Sequence, residues 1–162
     1  MADDIVSVLD TIVNALNRAG VSYAICGGLA VNLHGHVRAT RDIDILVQRD
    51  DLGSIRELLV PLGFTFYAGP IPFGVGTDRE RELHRVSRTR DGDLLTVDLL
   101  VVTNVLQPAW ESRIRATWRE RDVWVVSRDG LGHMKRLAGR AQDLADLESL
   151  GIDSARGRDD GT

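Results

Sequence analysis

Three carboxylates carry the chemistry that this sequence suggests, and two of them stand in the run Asp42-Ile43-Asp44-Ile45-Leu46-Val47. Successive side chains of a β-strand point to opposite faces, so Asp42 and Asp44 share one face while Ile43, Ile45 and Val47 share the other. Two carboxylates about 7 Å apart along a strand repel each other and lose hydration, a cost tolerated mainly where a cation lies between them. Oxygen donors suit a hard divalent ion, Mg²⁺ or Mn²⁺. The same parity holds from Leu94 to Leu100: Thr96 and Asp98 share a face, and Leu95, Val97 and Leu99 the other. Asp98 is thus a lone carboxylate in an apolar strand, which is expensive without a partner. If its strand pairs with the Asp42 strand, three carboxylates converge as in a two-metal site, whose ions lie ~3.5–4 Å apart and clamp an attacking oxygen against a phosphate.

Gly27-Gly28 follows a short apolar run, Tyr23 to Cys26, and precedes a helix-like stretch, Leu29 to His34. A glycine pair at a strand-to-helix turn lets backbone N–H groups approach a phosphate, and the helix N-terminus adds a favourable dipole. A plain tight turn is the alternative for the glycines, and strand-start capping the alternative for Asp42 and Asp44. Arg41 flanks the acidic strand, where it could meet phosphate or stand as an exposed loop charge. His34 and His36 lack a carboxylate or cysteine at ligand spacing and are not read as metal ligands. Arg140 and Asp143 read as a structural clamp between adjacent helices. Arg79, Arg81, Arg85, Arg88 and Arg90, interleaved with Asp78, Glu80 and Glu82, read mainly as a solvated face that could serve a polyanionic acceptor locally.

Several elements must position these residues. Apolar positions Ile5, Val8, Leu9, Ile12, Val13 and Leu16 have helical spacing and Gly20 stops the helix. Asp42 to Val47 is a strand. Asp50 or Asp51 can cap a helix bearing Ile55, Leu58, Leu59 and Leu62 that stops at Gly63, and Phe64 to Tyr67 reads as a strand. The glycines and prolines of Ala68 to Thr77 predict a loop. Leu83 to Thr89 and Leu94 to Val102 predict a hairpin across Arg90-Asp91-Gly92-Asp93. Trp110 to Trp118 reads as helical and Val123 to Val126 as a strand. A helix capped by Ser127 or Asp129 follows, and a last one places Leu144, Leu147 and Leu150 on one side. The expectation is an α/β (α+β) fold, a mixed sheet backed by helices with a short C-terminal helical segment, forming one domain over 1–152 and a disordered tail over 153–162.

The chain has 162 residues, enough for one domain with a real core, with a hydrophobic share of 43% and a net charge of −4. No apolar run approaches the ~20 residues of a membrane span. The N-terminal stretch has no basic region leading into an apolar one, so the expectation is a cytoplasmic protein. The one cysteine, Cys26, reads as a buried hydrophobe. The acidic balance argues against a surface that coats nucleic acid. Basic residues are nearly all arginine, and the sole lysine is Lys135.

Gly27-Gly28, Arg41-Asp42-Ile43-Asp44 and Asp98 resemble the signature of the DNA polymerase β-type nucleotidyltransferase superfamily. Residues 131–150, LGHMKRLAGRAQDLADLESL, resemble the C-terminal helices of its minimal and AbiEii-like toxin branches. The resemblance implies the nucleotidyltransferase fold and transfer of a nucleoside monophosphate from an NTP such as ATP to an acceptor hydroxyl, with pyrophosphate leaving. It implies that Asp42 and Asp44 bind both metals, that Asp98 binds the catalytic one and helps deprotonate the hydroxyl, and that Lys135 neutralises triphosphate charge. Gly28 stands where many members have serine. RNA, a protein or a small molecule remain open as acceptor, as do toxin–antitoxin and antibiotic-modifying settings and a partner protein or homodimer. The alternative is a non-catalytic nucleotide-binding or antitoxin-like module.

Overall fold

The computed structural model describes residues 4–36 and 39–152; the expected tail at 153–162 lies outside the described residues. Helix α1 (Ile5–Ala19) starts at Asp4, whose carboxylate accepts from the Val6 N–H at 3.2 Å, and stops at Gly20 in the left-handed region at φ 69°. Its buried stripe is the one its periodicity predicts: Val8, Leu9, Ile12, Val13 and Leu16. Strand β1 (Ala24–Cys26) runs directly into α2 (Gly27–Leu33), and β2 (Asp42–Val47) follows. Helix α3 (Leu52–Leu59) is flanked by single 3₁₀ turns, and Asp51 sits at its N-cap position without a side-chain bond. Next come β3 (Phe66–Phe73), β4 (Arg81–Arg90), β5 (Asp93–Val101) and α4 (Gln107–Glu111). The chain then forms β6 (Ile114–Trp118), β7 (Arg121–Val125), α5 (Arg128–Ala138) and α6 (Ala141–Ser149).

Among the described residues the strands form one mixed sheet in the order β3-β4-β5-β2-β1-β7-β6. Strand β2 pairs with β5 in parallel and with β1 antiparallel, while β1 pairs with β7 in parallel. The central strands are apolar on the face opposite the carboxylates, where Ile43, Ile45, Val97 and Leu99 are fully buried. The β4–β5 hairpin turns at Asp91 and Gly92, both at positive φ (52° and 81°), as the Asp-Gly step predicts. No helix among the described residues is long and apolar enough to cross a membrane.

Three local expectations are corrected. The segment expected as a loop from Ala68 continues β3 to Phe73, with a register shift between Ala68 and Ile71. Pro70 and Pro72 are tolerated because β3 is an edge strand whose outer N–H groups need no partner. The stretch Trp110 to Trp118 is not one helix: α4 ends at Glu111 and β6 begins at Ile114, pairing with β7. Arg113 lies over the Trp110 ring at 4.0 Å and the Trp124 ring at 5.2 Å, so aromatic stacking across the turn favours the hairpin. In α6, Leu147 and Leu150 are buried but Leu144 is 47% exposed. Spacings of three residues drift around a helix of 3.6 residues per turn, and only two of the three leucines reach the core.

Leu147→Ala should therefore cost about 2–5 kcal/mol in chemical denaturation, as for a fully buried leucine, whereas Leu144→Ala should stay within about 0.5 kcal/mol of wild type. Equal losses would show that both leucines are packed.

Candidate functional site

Parallel pairing of β2 with β5 sets Asp44 directly beside Asp98 and Asp42 beside Thr96. Residues opposite each other in register share a face, so the three carboxylates lie on one side of the sheet centre. On β1 the partner of Asp44 is Cys26, and the next residue, Gly27, turns the chain into α2 at φ 66°. A Cβ on Gly27 would fall 2.0 Å from Asp44 Oδ2, so this glycine is required twice, by its backbone angle and by the carboxylate lying over it. Gly28 is buried behind it.

These residues line one cleft of about 730 Å³ between the acidic face of the sheet and the C-terminal helices. All seven sequence candidates are on its wall: Gly27, Gly28, Arg41, Asp42, Asp44, Asp98 and Lys135. Burial raises the Asp44 carboxyl most, the neighbouring Asp98 and Asp42 raise it further, and Lys135 and Arg140 pull weakly the other way, leaving it pushed up to about 7. Burial first, then the Asp44 and Asp98 carboxylates, hold the Cys26 thiol well above its usual range, which keeps it neutral.

Two of the candidates are already engaged. Asp98 accepts two bonds from Arg85 across the β4–β5 pair, from Nε at 2.8 Å and from Nη2 at 3.2 Å. That bidentate pairing raises the Arg85 guanidinium above its ordinary value. Lys135 is buried, its Nζ lying 3.2 Å from Asp143 Oδ1 and 2.9 Å from Asp146 Oδ2. Arg140 and Asp143 do not clamp adjacent helices as expected: both stand at the start of α6, where they form a capping box with Arg140 Nε donating to Asp143 Oδ2 at 2.7 Å, and Lys135 makes the link from α5. Burial pushes Asp143 up, but the Arg140 and Lys135 cations outweigh it and leave the carboxyl below its usual range. Arg81 and Arg85 face the cleft, which reading the arginine run mainly as a solvated face missed, and Arg140 faces it from α6. The available signal was the β-parity of Arg81, Leu83 and Arg85, which depends on pairing with β5.

The residues fit a divalent cation. Three hard carboxylates share one face, one of them desolvated enough that its charged form is disfavoured, and a cation would relieve that repulsion. They do not form a closed cage, since among the described residues no three His, Cys, Asp or Glu side chains converge as metal ligands. The Arg85 guanidinium instead neutralises Asp98.

Solved structures share this architecture. A Thermotoga maritima protein described as a candidate nucleotidyltransferase superposes with a TM-score of 0.61 at 16% identity over 90% of this chain and 91% of its own. ANT(2'')-Ia in complex with adenylyl-2''-tobramycin gives 0.59 at 16% identity over 90% of this chain and 86% of its own. The lincomycin-bound lincosamide antibiotic adenylyltransferase LnuA gives 0.55 at 17% identity over 88% and 94%. At these identities the likeness establishes the fold. No curated protein sequence matches the chain. The model of the aminoglycoside-2''-adenylyltransferase family matches residues 8–150, spanning the glycine turn, all three strand carboxylates and the Lys135 helix, and the chain belongs to that family.

Proposed function

We propose that this chain is a metal-dependent nucleotidyltransferase that moves a nucleoside monophosphate from an NTP to an acceptor hydroxyl. The observation that carries this reading is the in-register pairing of Asp44 with Asp98, beside Asp42 and over the Gly27 turn, in one cleft. Asp42, Asp44 and Asp98 would hold Mg²⁺ or Mn²⁺. A bound ion of this kind neutralises phosphate charge and orients the displacement.

The chain's own residues supply the rest. The Gly27-Gly28 turn offers backbone N–H groups to the phosphates, with Arg41 at the mouth of the cleft adding positive charge. Asp98 would take the acceptor proton once Arg85 yields its carboxylate. Lys135 contributes a positive field from within its Asp143–Asp146 pair. The acceptor hydroxyl oxygen bonds to the α-phosphorus, the bond to the β-phosphate oxygen breaks, and pyrophosphate leaves with the electron pair. The family match and the antibiotic adenylyltransferase neighbours support a small-molecule acceptor over RNA or protein. They likewise support an antibiotic-modifying setting over a toxin–antitoxin one. A second reading, a non-catalytic nucleotide-binding module, is favoured by the two engaged candidates, Asp98 on Arg85 and Lys135 on α6.

Mg²⁺ and an NTP added together should stabilise the fold by RT ln(1 + [L]/Kd), about 2.7 kcal/mol at a hundredfold excess over Kd, and so raise the melting temperature much more than either alone. Pyrophosphate release in the presence of a hydroxyl acceptor then separates the enzyme from the binding module. A stability gain without release from any of the four NTPs supports the module, and no gain with any of them removes both readings.

The Asp44 carboxyl has a pKa of about 7 in the metal-free fold against an ordinary 3.8. Between these values the folded protein keeps a proton that the unfolded chain has released, so stability falls as pH rises through the window. Asp44→Asn removes the charge. It should abolish transfer yet stabilise the metal-free protein near pH 8 by about 1–3 kcal/mol, allowing for partial solvent access, with the gain vanishing towards pH ~4. A melting curve that shows destabilisation at both pH values would contradict the crowding.

Lys135→Ala removes the buried cation that Asp143 and Asp146 share, leaving Asp143 only Arg140, and should cost about 3–5 kcal/mol. An unchanged melting temperature would show that the ammonium is free to serve the nucleotide alone.

A further inference from the structure

The sheet order places the two ends of the cleft on opposite sides of the carboxylates. The Gly27-Gly28 turn follows β1, on one side of β2, whereas β5, β4 and β3 lie on the other. If the triphosphate takes the glycine turn, as the proposed function holds and on which this inference rests, the acceptor enters from the β4 side, next to Asp98. That wall presents Arg81, Leu83 and Arg85 from β4, Leu100 from β5 and Phe73 from β3.

The charges on this wall are unequally matched. Its carboxylates are all engaged: Glu82 with His84 at 2.8 Å and Arg49 at 2.9 Å, and Asp98 with Arg85 at 2.8 Å. Arg81 has no such partner. Its guanidinium lies 5.3 Å over the Phe73 ring and donates from Nε to the Arg79 carbonyl at 3.4 Å, and among the described residues no carboxylate pairs with it. Partial burial lowers its pKa, the Arg79 and Arg140 cations lower it further, and Asp143 opposes this only weakly. A half-buried guanidinium repelled by two others is a site for an anion, since its planar fork matches phosphate and carboxylate oxygens. On the β4 wall itself, as distinct from Asp42 and Asp44 at the centre of the cleft, both carboxylates are already paired, so a polyamine sugar seated there would find none to replace the water lost by its ammonium groups.

We infer that the acceptor is a small hydroxyl compound carrying an anionic group, phosphate or carboxylate, which Arg81 receives on the β4 side of the cleft while Phe73 packs against the compound's apolar face. Transfer then joins the acceptor oxygen to the α-phosphorus and breaks the bond to the β-phosphate oxygen. Pyrophosphate departs and the hydroxyl proton passes to a strand carboxylate and on to water. Arg81 selects the acceptor and takes no part in the chemical step.

Calorimetric titration of the metal-free, nucleotide-free protein tests the site without catalysis, using glucose 6-phosphate, inorganic phosphate, acetate, glucose and tobramycin as probes. Glucose 6-phosphate should bind at least tenfold more tightly than glucose or tobramycin, and phosphate against acetate tells which anion the site prefers. Arg81→Gln should weaken the anionic probes by about 10–100-fold, while Arg81→Lys, which keeps the charge, should retain part of the affinity. Tighter binding of tobramycin than of glucose 6-phosphate, no measurable binding of any anionic probe, or anion affinity unchanged in a folded Arg81→Gln protein would each overturn the inference. Turnover separates it from the proposed function. Pyrophosphate release that favours tobramycin refutes the anionic acceptor and leaves the transferase standing. Arg81-dependent phosphate binding without release from any NTP leaves the anion site standing and refutes the transferase.

Discussion

Repulsion among carboxylates on adjacent parallel strands is the constraint around which the rest of this structure is arranged. Asp44 and Asp98 are neighbours in register, Asp42 lies two residues along on the same face, and burial pushes the Asp44 carboxyl up to about 7. Such a cluster persists only if the surrounding fold fixes it. The opposite face does so, because Ile43, Ile45, Val97 and Leu99 are fully buried and a one-residue slip of either strand would expose them. Gly27 then gives Asp44 the space that any side chain would take.

Positive charge is distributed around that cluster in separate layers. Arg85 reaches across from β4 to pair with Asp98. Lys135 sits farther off on α5 and is held by Asp143 and Asp146 of α6, so buried ion pairs lock the two helices together, while Arg140 adds an exposed partner to Asp143 from the start of α6. Breaking one partner of such a network is costly even where the intact network adds little net stability. The cleft thus has a rigid, internally neutral wall along the C-terminal helices and a wall with surplus positive charge along β4. This difference gives the two ends of one cavity different electrostatic character.

The family's name refers to a polycationic sugar as acceptor, yet fold and family constrain the nucleotide half of such a reaction more tightly than the acceptor half. The carboxylate cluster and the glycine turn depend on strand pairing at the sheet centre. The β4 side of the cleft depends on β3 and β4 towards the sheet edge, where side chains can change without disturbing that pairing. Arg81 and Phe73 belong to that side.

Much of the centre was legible in the residues alone. Parity placed Asp42 with Asp44 and isolated Asp98, helical spacing gave the α1 stripe, and Asp-Gly gave the β4–β5 turn, because each depends on a few consecutive residues. The β6–β7 hairpin was not legible, since its turn is made by Arg119 and Glu120 at φ 51° and 65°, without the glycine or asparagine that marks such turns. Nor was the extension of β3 through two prolines, which depends on the strand lying at an edge. What only the tertiary structure decided was which charges meet. Arg85 could be known as the partner of Asp98 only once β4 lay beside β5. Lys135 could be known as a buried ion-pair member only once α6 folded back on α5. Local pattern fixes which face a side chain takes; the pairing of distant segments fixes what it finds there.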